Sequence, residues 1–594
     1  VQHAGLRFLL PYMRPYYRHL VIGTLYALIG AAASAFSPAL LGLAVDQVIA
    51  GISSEILVGY ALGIIGLTII LAVFRYLLRM LTGEIAAGVS YQMSQDLFAR
   101  ILLLDRATLA QFGTGDLLSR ASNDFIYIWR FYSAGFQMSI HALFLLAIGC
   151  GLMALTSPSL AGLVVVMLFL TIGVQIWLGP VVEHAFDRVQ QALAQLSAYA
   201  QEHLTAQRML AAYAQEQHAV AQFQQHNDAF VQRNMEFVLR SSAISPLPSL
   251  VVRLAAALVV GVGGAMIIAG ELSIGQYVQF IVYLSLLSGA AQSLSQAFER
   301  LQQGSAAAGR IGEVLRRMPQ IADSAQAIAP AISGALRLEG IGVRAPGNGR
   351  WLLRDVTLDI AAGTTLGIVG ATGAGKSTLL SLLGRVIDPD AGRIALDGID
   401  IRDIALATLR RHVVMVPQET LLFSVELRHN ITLGLDALPD ERIHEAARAA
   451  RLTNDLAQLP QGLATIVGER GATLSGGQKQ RTAIARALVR DPRILVLDDA
   501  LASVDTHTTA EILGELRAAR AGRTCLIVSQ RIASVRDADL IVVLEHGQIV
   551  EQGSHQALLA RDGLYAAMYR RELQQAEEAA GDHELAQLPE DLER

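Results

Sequence analysis

Four stretches in the second half of the chain hold residue types at spacings suited to phosphate chemistry. In "TTLGIVGATGAGKSTLLSLL", residues 364–383, a strand-like run (Leu366 to Val369) leads into Gly370, Ala371, Thr372, Gly373, Ala374, Gly375, Lys376, Ser377 and Thr378, and a helical pattern follows. This is G-x-x-x-x-G-K-[ST] in a strand–loop–helix setting. Glycines there let backbone N–H groups converge on phosphate oxygens. Lys376 adds a charge at the β/γ positions, Ser377 offers a hydroxyl to Mg²⁺, and the helix start favours an anion. "VVMVPQE", 413–419, is a strand pattern ending at Gln418, whose amide could reach a metal or an attacking water. "ILVLDDALASVD", 494–505, runs four apolar residues into Asp498 and Asp499, the first suited to Mg²⁺ and the second to activating water. "GATLSGGQKQRTAIARALVR", 471–490, sets Ser475, Gly476, Gly477 and Gln478 at the start of a helix, a second anion site. One phosphate loop has no need of a second γ-phosphate site, so Ser475–Gln478 are expected to serve a nucleotide held by another subunit.

The elements that position these residues occupy only part of the chain. At 594 residues it exceeds one ordinary domain, and 53% hydrophobic against 17% charged is too apolar for a soluble protein of this size. The apolar runs concentrate in residues 1–300, while 336–573 read as a soluble α/β domain. Six stretches, near 20–45, 57–79, 135–156, 159–179, 248–269 and 276–298, are long enough to cross about 30 Å of hydrocarbon. The short loops near 46–56, 157–158 and 270–275 contain no Lys or Arg, whereas the other side is rich in Arg. The positive-inside rule then puts the N-terminus, the long loops and the soluble half in the cytosol. No Gly or Pro occurs in 181–245, so long helices should project into the cytosol and turn near 205–217. A matching turn is expected near 112–124. Ionisable residues within the spans are few: His141, Arg253, and Arg75 and Arg79 near the inner end of span two. Arg253 is the candidate cavity residue, with snorkelling to the interface as the alternative. The expected organisation is a membrane domain at 1–310, a linker at 311–335, the soluble domain at 336–573 and an acidic tail at 574–594.

A net charge of −5 points away from nucleic acid, and two cysteines in different halves give neither a disulfide framework nor a metal site. The chain has only two lysines, Lys376 and Lys479, as expected of a GC-rich bacterial genome. No cleavable signal peptide is expected.

Gly370–Ser377, Gln418, "LSGGQ" at 474–478 and "ILVLD" at 494–498 together resemble the nucleotide-binding domain of ABC transporters. Six N-terminal spans fused to such a domain resemble an exporter-type half-transporter. "TGDLLSRASND", 114–124, is similar to that group's first cytosolic loop, and "VGERG", 467–471, to its loop that senses the long cytosolic helices. The resemblance covers residues 10–570 or so. It implies a membrane all-α six-helix domain with long cytosolic extensions, followed by an α/β P-loop domain. It also implies ATP and Mg²⁺ as cofactors, with Ser377, Gln418 and Asp498 toward the metal. Two ATP molecules would be sandwiched head to tail between two subunits in a bacterial cytoplasmic membrane. Cargo would be a drug, lipid or hydrophobic peptide, met among membrane lipids.

The chain departs from the family around its own nucleotide. Asp499 replaces the usual catalytic Glu, Gln530 the switch His, and Ala345 the aromatic that stacks on adenine; Trp351 is out of register, while Asp505 is retained. Shortening Glu to Asp withdraws the carboxylate by about 1 Å, enough to lose on the order of 10²-fold in rate. Gln530 cannot carry the charge or proton that His can. The phosphate loop is therefore expected to bind Mg-ATP and hydrolyse it slowly or not at all. The signature at Ser475–Gln478 would complete the site of a partner half-transporter carrying the usual Glu and His. The alternatives are a slow homodimeric exporter and a nucleotide-gated channel or regulator.

Overall fold

A computed structural model describes residues 2–347, 349–435, 437–500, 511–512, 514–515 and 522–585. The chain forms two compact units, one of Val1–Leu103 and Phe112–Met318, the other of Leu104–Gln111 and Pro319–Arg594. The retained Asp505 and the end of the acidic tail, 586–594, lie outside the described residues.

The first unit is helical. Among the described residues, six helices are long and apolar enough to cross a membrane: α1 (Arg7–Ile49), α2 (Ser54–Leu103), α3 (Thr114–Thr156), α4 (Pro158–Thr205), α5 (Glu216–Ile268) and α6 (Ile274–Arg316). They contain 43 to 53 residues each, about 65–80 Å at 1.5 Å per residue, more than twice the hydrocarbon core. The absence of Gly and Pro from 181–245 leaves nothing to stop α4 at the membrane. It runs to Thr205 and α5 starts at Glu216, which is the expected turn. The other turn falls earlier than 112–124. α2 stops at Leu103, and Asp105 caps a short helix, Arg106–Phe112, by accepting from Thr108 N at 3.0 Å and Thr108 Oγ1 at 2.8 Å.

Residues 114–124 are therefore already helix, and their charges pack α3 onto α6. Buried Arg120 donates to the Arg310 carbonyl at 2.6 Å and pairs with Asp116 at 2.9 Å and Glu313 at 3.0 Å. Arg310 grips Asp124, which is 2% exposed, through two hydrogen bonds of 2.5 and 3.0 Å. At the opposite end of α6, Ser273 and Gln276 form a capping box. Asp46 of α1 accepts there from Ser273 Oγ at 2.5 Å and Gly275 N at 2.7 Å. Apolar packing of Met153, Leu160, Val164, Val259, Phe280 and Leu287 fills the space among α3 to α6. One turn of α3, Phe131–Gly135, is π-helical.

The second unit is α/β. An antiparallel sheet has the order β2 (Trp351–Ile360), β1 (Leu336–Arg344), β4 (Ala391–Leu396), β5 (Ile399–Asp400). A six-stranded sheet has the order β10 (Gln548–Gly553), β9 (Leu540–Glu545), β3 (Thr365–Val369), β8 (Thr524–Val528), β7 (Ile494–Asp498), β6 (Val413–Val416). All its pairings are parallel except β9 with β10. β3 and β8 are buried throughout and β7 for its first four residues, as a sheet covered on both faces requires. Apolar clusters lie around Val369, Ile484 and Leu497 and around Ile368, Leu382 and Val496. Parallel strands end on one edge, where ligands of open α/β sheets sit. Here that edge gathers the residues following β3, β6, β7 and β8.

Candidate functional site

β3 ends at Val369, and α7 (Lys376–Leu383) begins six residues after Gly370 with no side-chain cap. A Cβ on Gly370 would stand 2.2 Å from the Leu544 carbonyl oxygen, so only glycine lets the loop leave the sheet there. Gly375, at φ +104°, is left-handed and turns the chain into α7. A Cβ on Gly373 would meet nothing within 4 Å, so the loop is open above that point. Ala371 and Thr372 are exposed in it; Ala374 is buried, with its carbonyl accepting from Gly547 N at 3.1 Å. Thr378 is half-buried in the first turn of α7.

Lys376 lies across its own loop, donating from Nζ to the carbonyls of Gly370 at 2.6 Å and Ala371 at 3.0 Å. Burial pulls the Lys376 ammonium below its usual pKa, and Asp499 and Asp498 oppose that shift. The Asp498 carboxyl is pushed above its usual value, chiefly by burial and further by Asp499; a hydrogen bond with Ser377 and the charge of Lys376 pull the other way. Ser377 and Asp498 therefore meet, although 120 residues of sequence separate them, because β3 and β7 flank β8.

The register of β6 with β7 carries Gln418 to the second acid, and its Nε2 donates to Asp499 Oδ2 at 3.4 Å. Asp499 sits at φ +47°, with its N–H on the Val528 carbonyl at 2.9 Å. Aspartate is among the few residues that tolerate this backbone region. Gln530 follows β8 and is exposed; its neighbour Ser529 anchors the turn by donating from N to the Ile368 carbonyl at 3.2 Å and accepting from Arg531 N at 3.0 Å. One edge of the sheet thus collects Gly370–Ser377, Gln418, Asp498, Asp499 and Gln530. The Ser377 hydroxyl, the Gln418 amide and the Asp498 carboxylate are oxygen donors suited to a hard divalent cation, so the residues present fit Mg²⁺.

Ser475–Gln478 form the start of another helix, α8 (Gly476–Leu488). Ser475 Oγ accepts from Gln478 N at 3.3 Å, and Gln478 Oε1 accepts from Ser475 N at 3.0 Å, a complete capping box. The Gln478 amide is therefore used within the helix. Among the described residues, the N–H groups of Gly476 and Gly477 have no such partner. Asp455 locks this turn from behind, accepting from Arg481 at 2.8 and 2.9 Å and from Gln478 Nε2 at 3.3 Å.

Ala345 donates to the Arg350 carbonyl at 2.7 Å in a turn, and Trp351 pairs in register with Arg344, whose guanidinium lies 4.4 Å over the indole ring. One face of the nearby aromatic is thus already covered.

The family description "ABC transporter transmembrane region" matches residues 20–291, and "ABC transporter" matches 353–502. The chain is 32% identical to the multidrug resistance-like ATP-binding protein MdlA of Escherichia coli (strain K12), across 92% of each chain. The chain belongs to the ABC transporter family. It is also 31% identical to an ATP-dependent lipid A-core flippase of Syntrophus aciditrophicus, over 97% of this chain and 95% of that one. The solved structure of a bacterial Atm1-family ABC exporter with ATP bound superposes with a TM-score of 0.82 at 27% identity, covering 94% and 98% of the two chains. This ABC transporter is a multi-pass membrane protein with fused transmembrane and ATP-binding regions, an ATP-driven exporter by family.

The helical unit of the transporter holds two adjoining cavities of about 610 and 790 Å³, which share Leu71, Arg75, Gln137 and Met138. Arg253 lines neither; it is exposed on α5. Arg75, Arg79, Arg300 and His141 do line them. Arg300 escaped notice in the sequence because it lies beyond the last apolar span. Arg75 and Arg79, four apart on one helix face, were the available signal.

Proposed function

We propose that this exporter works as one half of a heterodimer, with its own ATP site binding nucleotide but catalytically impaired. Its N-terminus and ATP-binding domain (336–573) face the cytosol of a bacterium, below a membrane domain at 1–310 and a linker at 311–335. The observation that carries the reading is the contrast between Asp499 and Ser475. The Asp499 carboxylate is one methylene short and already accepts from Gln418, while the Ser475 capping box is intact, with Gly476 exposed and Gly477 half-buried beside it.

In this reading the backbone of Gly370–Ser377 holds the phosphates and Lys376 leaves its own carbonyls to meet them. Ser377, Gln418 and Asp498 hold the cation, and Thr378 continues the cradle. When bound there, Mg²⁺ would supply positive charge to the phosphates. Asp499 is too short to take the proton of an attacking water efficiently, and Gln530 hydrogen-bonds without supplying charge. Each such loss is on the order of 10²–10³ in rate, and the two need not multiply because they act on one step. ATP here acts as a strut. Turnover occurs in the partner's site, completed by Ser475, Gly476, Gly477 and Gln478 of this chain. The cargo is a hydrophobic or amphipathic molecule moved out of the cytosol, in line with the drug and lipid named for the relatives.

The test is the ATPase activity of the full-length chain alone and co-purified with a half-transporter carrying Glu and His at the corresponding points. Expected are little turnover alone, brisk turnover in the pair, and its loss on Ser475→Arg. Asp499→Glu alone should restore little. Brisk turnover by the self-paired chain would overturn the proposal.

A further inference from the structure

The chain after β8 is held from two sides. β8 ends at Val528, and Ser529, Gln530 and Arg531 lead into a single 3₁₀ turn, Ile532–Ser534, to which Arg531 supplies no side-chain cap. On the side of the sheet, Ser529 N donates to the Ile368 carbonyl at 3.2 Å and Asp499 N to the Val528 carbonyl at 2.9 Å. Arg531 N donates to Ser529 Oγ at 3.0 Å. On the far side the acceptor comes from 40 residues along the chain: Glu572 Oε2 accepts from Ile532 N at 2.6 Å, and its Oε1 accepts from Ala533 N at 3.3 Å. Among the described residues, Gln530 is the one member of 529–533 whose N–H and side chain have no hydrogen-bond partner.

The helix that carries Glu572, Leu564–Leu585, is set onto this turn by its own first residues. Glu551 of β10 accepts from Leu564 N at 2.6 Å and from Tyr565 N at 3.1 Å, which satisfies two of the free donors of the helix start and fixes its direction. Tyr565, Tyr569 and Glu572 then follow at i, i+4 and i+7, one face of a helix. Tyr565 is fully buried, with its hydroxyl 2.6 Å from His555 Nδ1, and Tyr569 meets the same imidazole edge-on at 5.3 Å. Ile532 and Val535 are fully buried in the same apolar cluster as Tyr565, and Met568 and Tyr569 pack against it. Two turns of packed helix thus deliver the carboxylate, which is half-buried, to the two N–H groups.

A cap on a 3₁₀ turn needs only an acceptor of any kind. Here the acceptor is ionisable, and bonds from N–H to a carboxylate are stronger than those to a neutral oxygen. Both bonds fall within three residues of Gln530. With Ser529 tied to β3 and Ile532 and Ala533 tied to the helix, Gln530 is the free point of a clamped arc. Its reach toward the edge that holds Lys376 and Asp498 is set by where the far end is held.

We propose that Glu572 is a positioning residue of the nucleotide site: by clamping Ile532 and Ala533 it sets the reach of Gln530 to the terminal phosphate of ATP. The helix Leu564–Leu585 is thereby part of the machinery that distinguishes a triphosphate from a diphosphate. The inference rests on Gln530 bonding the γ-phosphate, as in the reading above, and not on the impaired turnover or on a second kind of subunit.

The test is a double-mutant cycle on nucleotide affinity in the full-length chain in nanodiscs. Calorimetry measures Mg²⁺-bound ADP and the non-hydrolysable imido analogue of ATP. Gln530→Ala should weaken the analogue by about tenfold, as for one lost hydrogen bond to a charged group, and leave ADP within about twofold. Glu572→Ala should weaken the analogue by about fivefold, a part of the same contribution, and also spare ADP. The double variant should lose no more than Gln530→Ala alone, because residues that act through one another are not additive. Glu572→Gln keeps an acceptor for Ile532 N and should retain most of the affinity. Equal weakening of ADP and the analogue in Glu572→Ala would mark a cap that only stabilises the fold, and it overturns the proposal. So do losses that multiply in the double variant. Loss of analogue affinity in Gln530→Ala but not in Glu572→Ala sinks the proposal alone. Unchanged affinity in Gln530→Ala removes the placement of Gln530 at the γ-phosphate and the proposal with it. Turnover is not measured, so the impaired site and the heterodimer stand or fall by the ATPase test.

Discussion

Two helix starts in the α/β unit, those of α7 and α8, both follow glycine-rich turns, and they are built in opposite ways. The start of α7 has no side-chain cap; its shape comes from glycines with no room or no sterically allowed alternative, Gly370 and Gly375. Its lysine bonds to the loop's own carbonyls. The start of α8 is self-satisfied, with Ser475 and Gln478 capping each other and Asp455 bracing the turn. A loop of the first kind gains its missing partners from a ligand. A helix end of the second kind is formed in advance and can be offered to a neighbouring subunit.

Substitutions can break this comparison. Gly370→Ala should have the largest effect on stability, because a Cβ would sit 2.2 Å from the Leu544 backbone oxygen. A loss of about 3 kcal/mol or more is expected, read as a lowered thermal midpoint of the soluble unit in the full chain. Asp455→Ala removes the acceptor of Arg481 and Gln478. Leaving a largely buried arginine unpaired should cost about 2–3 kcal/mol, and the paired ATPase should fall while nucleotide binding at this chain's own loop persists. Ser475→Ala deletes only the cap, so about 1 kcal/mol is expected; a small midpoint shift alongside a larger drop in paired turnover would sharpen the distinction between the two helix starts.

The smallest effect concerns Asp498. Its carboxyl is raised from 3.8, mainly by burial, so the folded protein retains a proton that the unfolded chain has lost. Without nucleotide, stability should fall as pH rises from the ordinary carboxylate value through the raised one. Asp498→Asn should flatten that part of the pH–stability profile and raise the midpoint slightly at pH 7. Loss of stability on Asp498→Asn at that pH would argue that the carboxylate is well paired even in the apo protein.

Much of this arrangement is legible in the residues. The phosphate loop is a contiguous motif, and the long helices of α4 and α5 follow from an unbroken stretch without Gly or Pro. The turn after α2 falls earlier than 112–124 because Asp105 caps a short helix at Arg106–Phe112, an effect of a single side chain on its local backbone. Asp455 gives no sequence signal, since Arg481 and Gln478 find it only when its helix packs behind α8. Arg253 drew attention by its depth in an apolar run, but depth along a helix does not state which face a residue occupies.

Local sequence suffices to specify the chemistry of each short segment: glycine where backbone must approach backbone, apolar runs where a strand is covered on both faces or a helix crosses lipid. These depend on the period and size of neighbouring residues alone. Convergence of Ser377, Gln418, Asp498 and Asp499 on one sheet edge required the order β3-β8-β7-β6. Likewise, Arg75, Arg79 and Arg300 line adjoining cavities because α2, α3 and α6 pack together. Packing alone decides which charges meet a counter-ion and which are left facing a cavity, because that depends on distances between residues far apart in the chain.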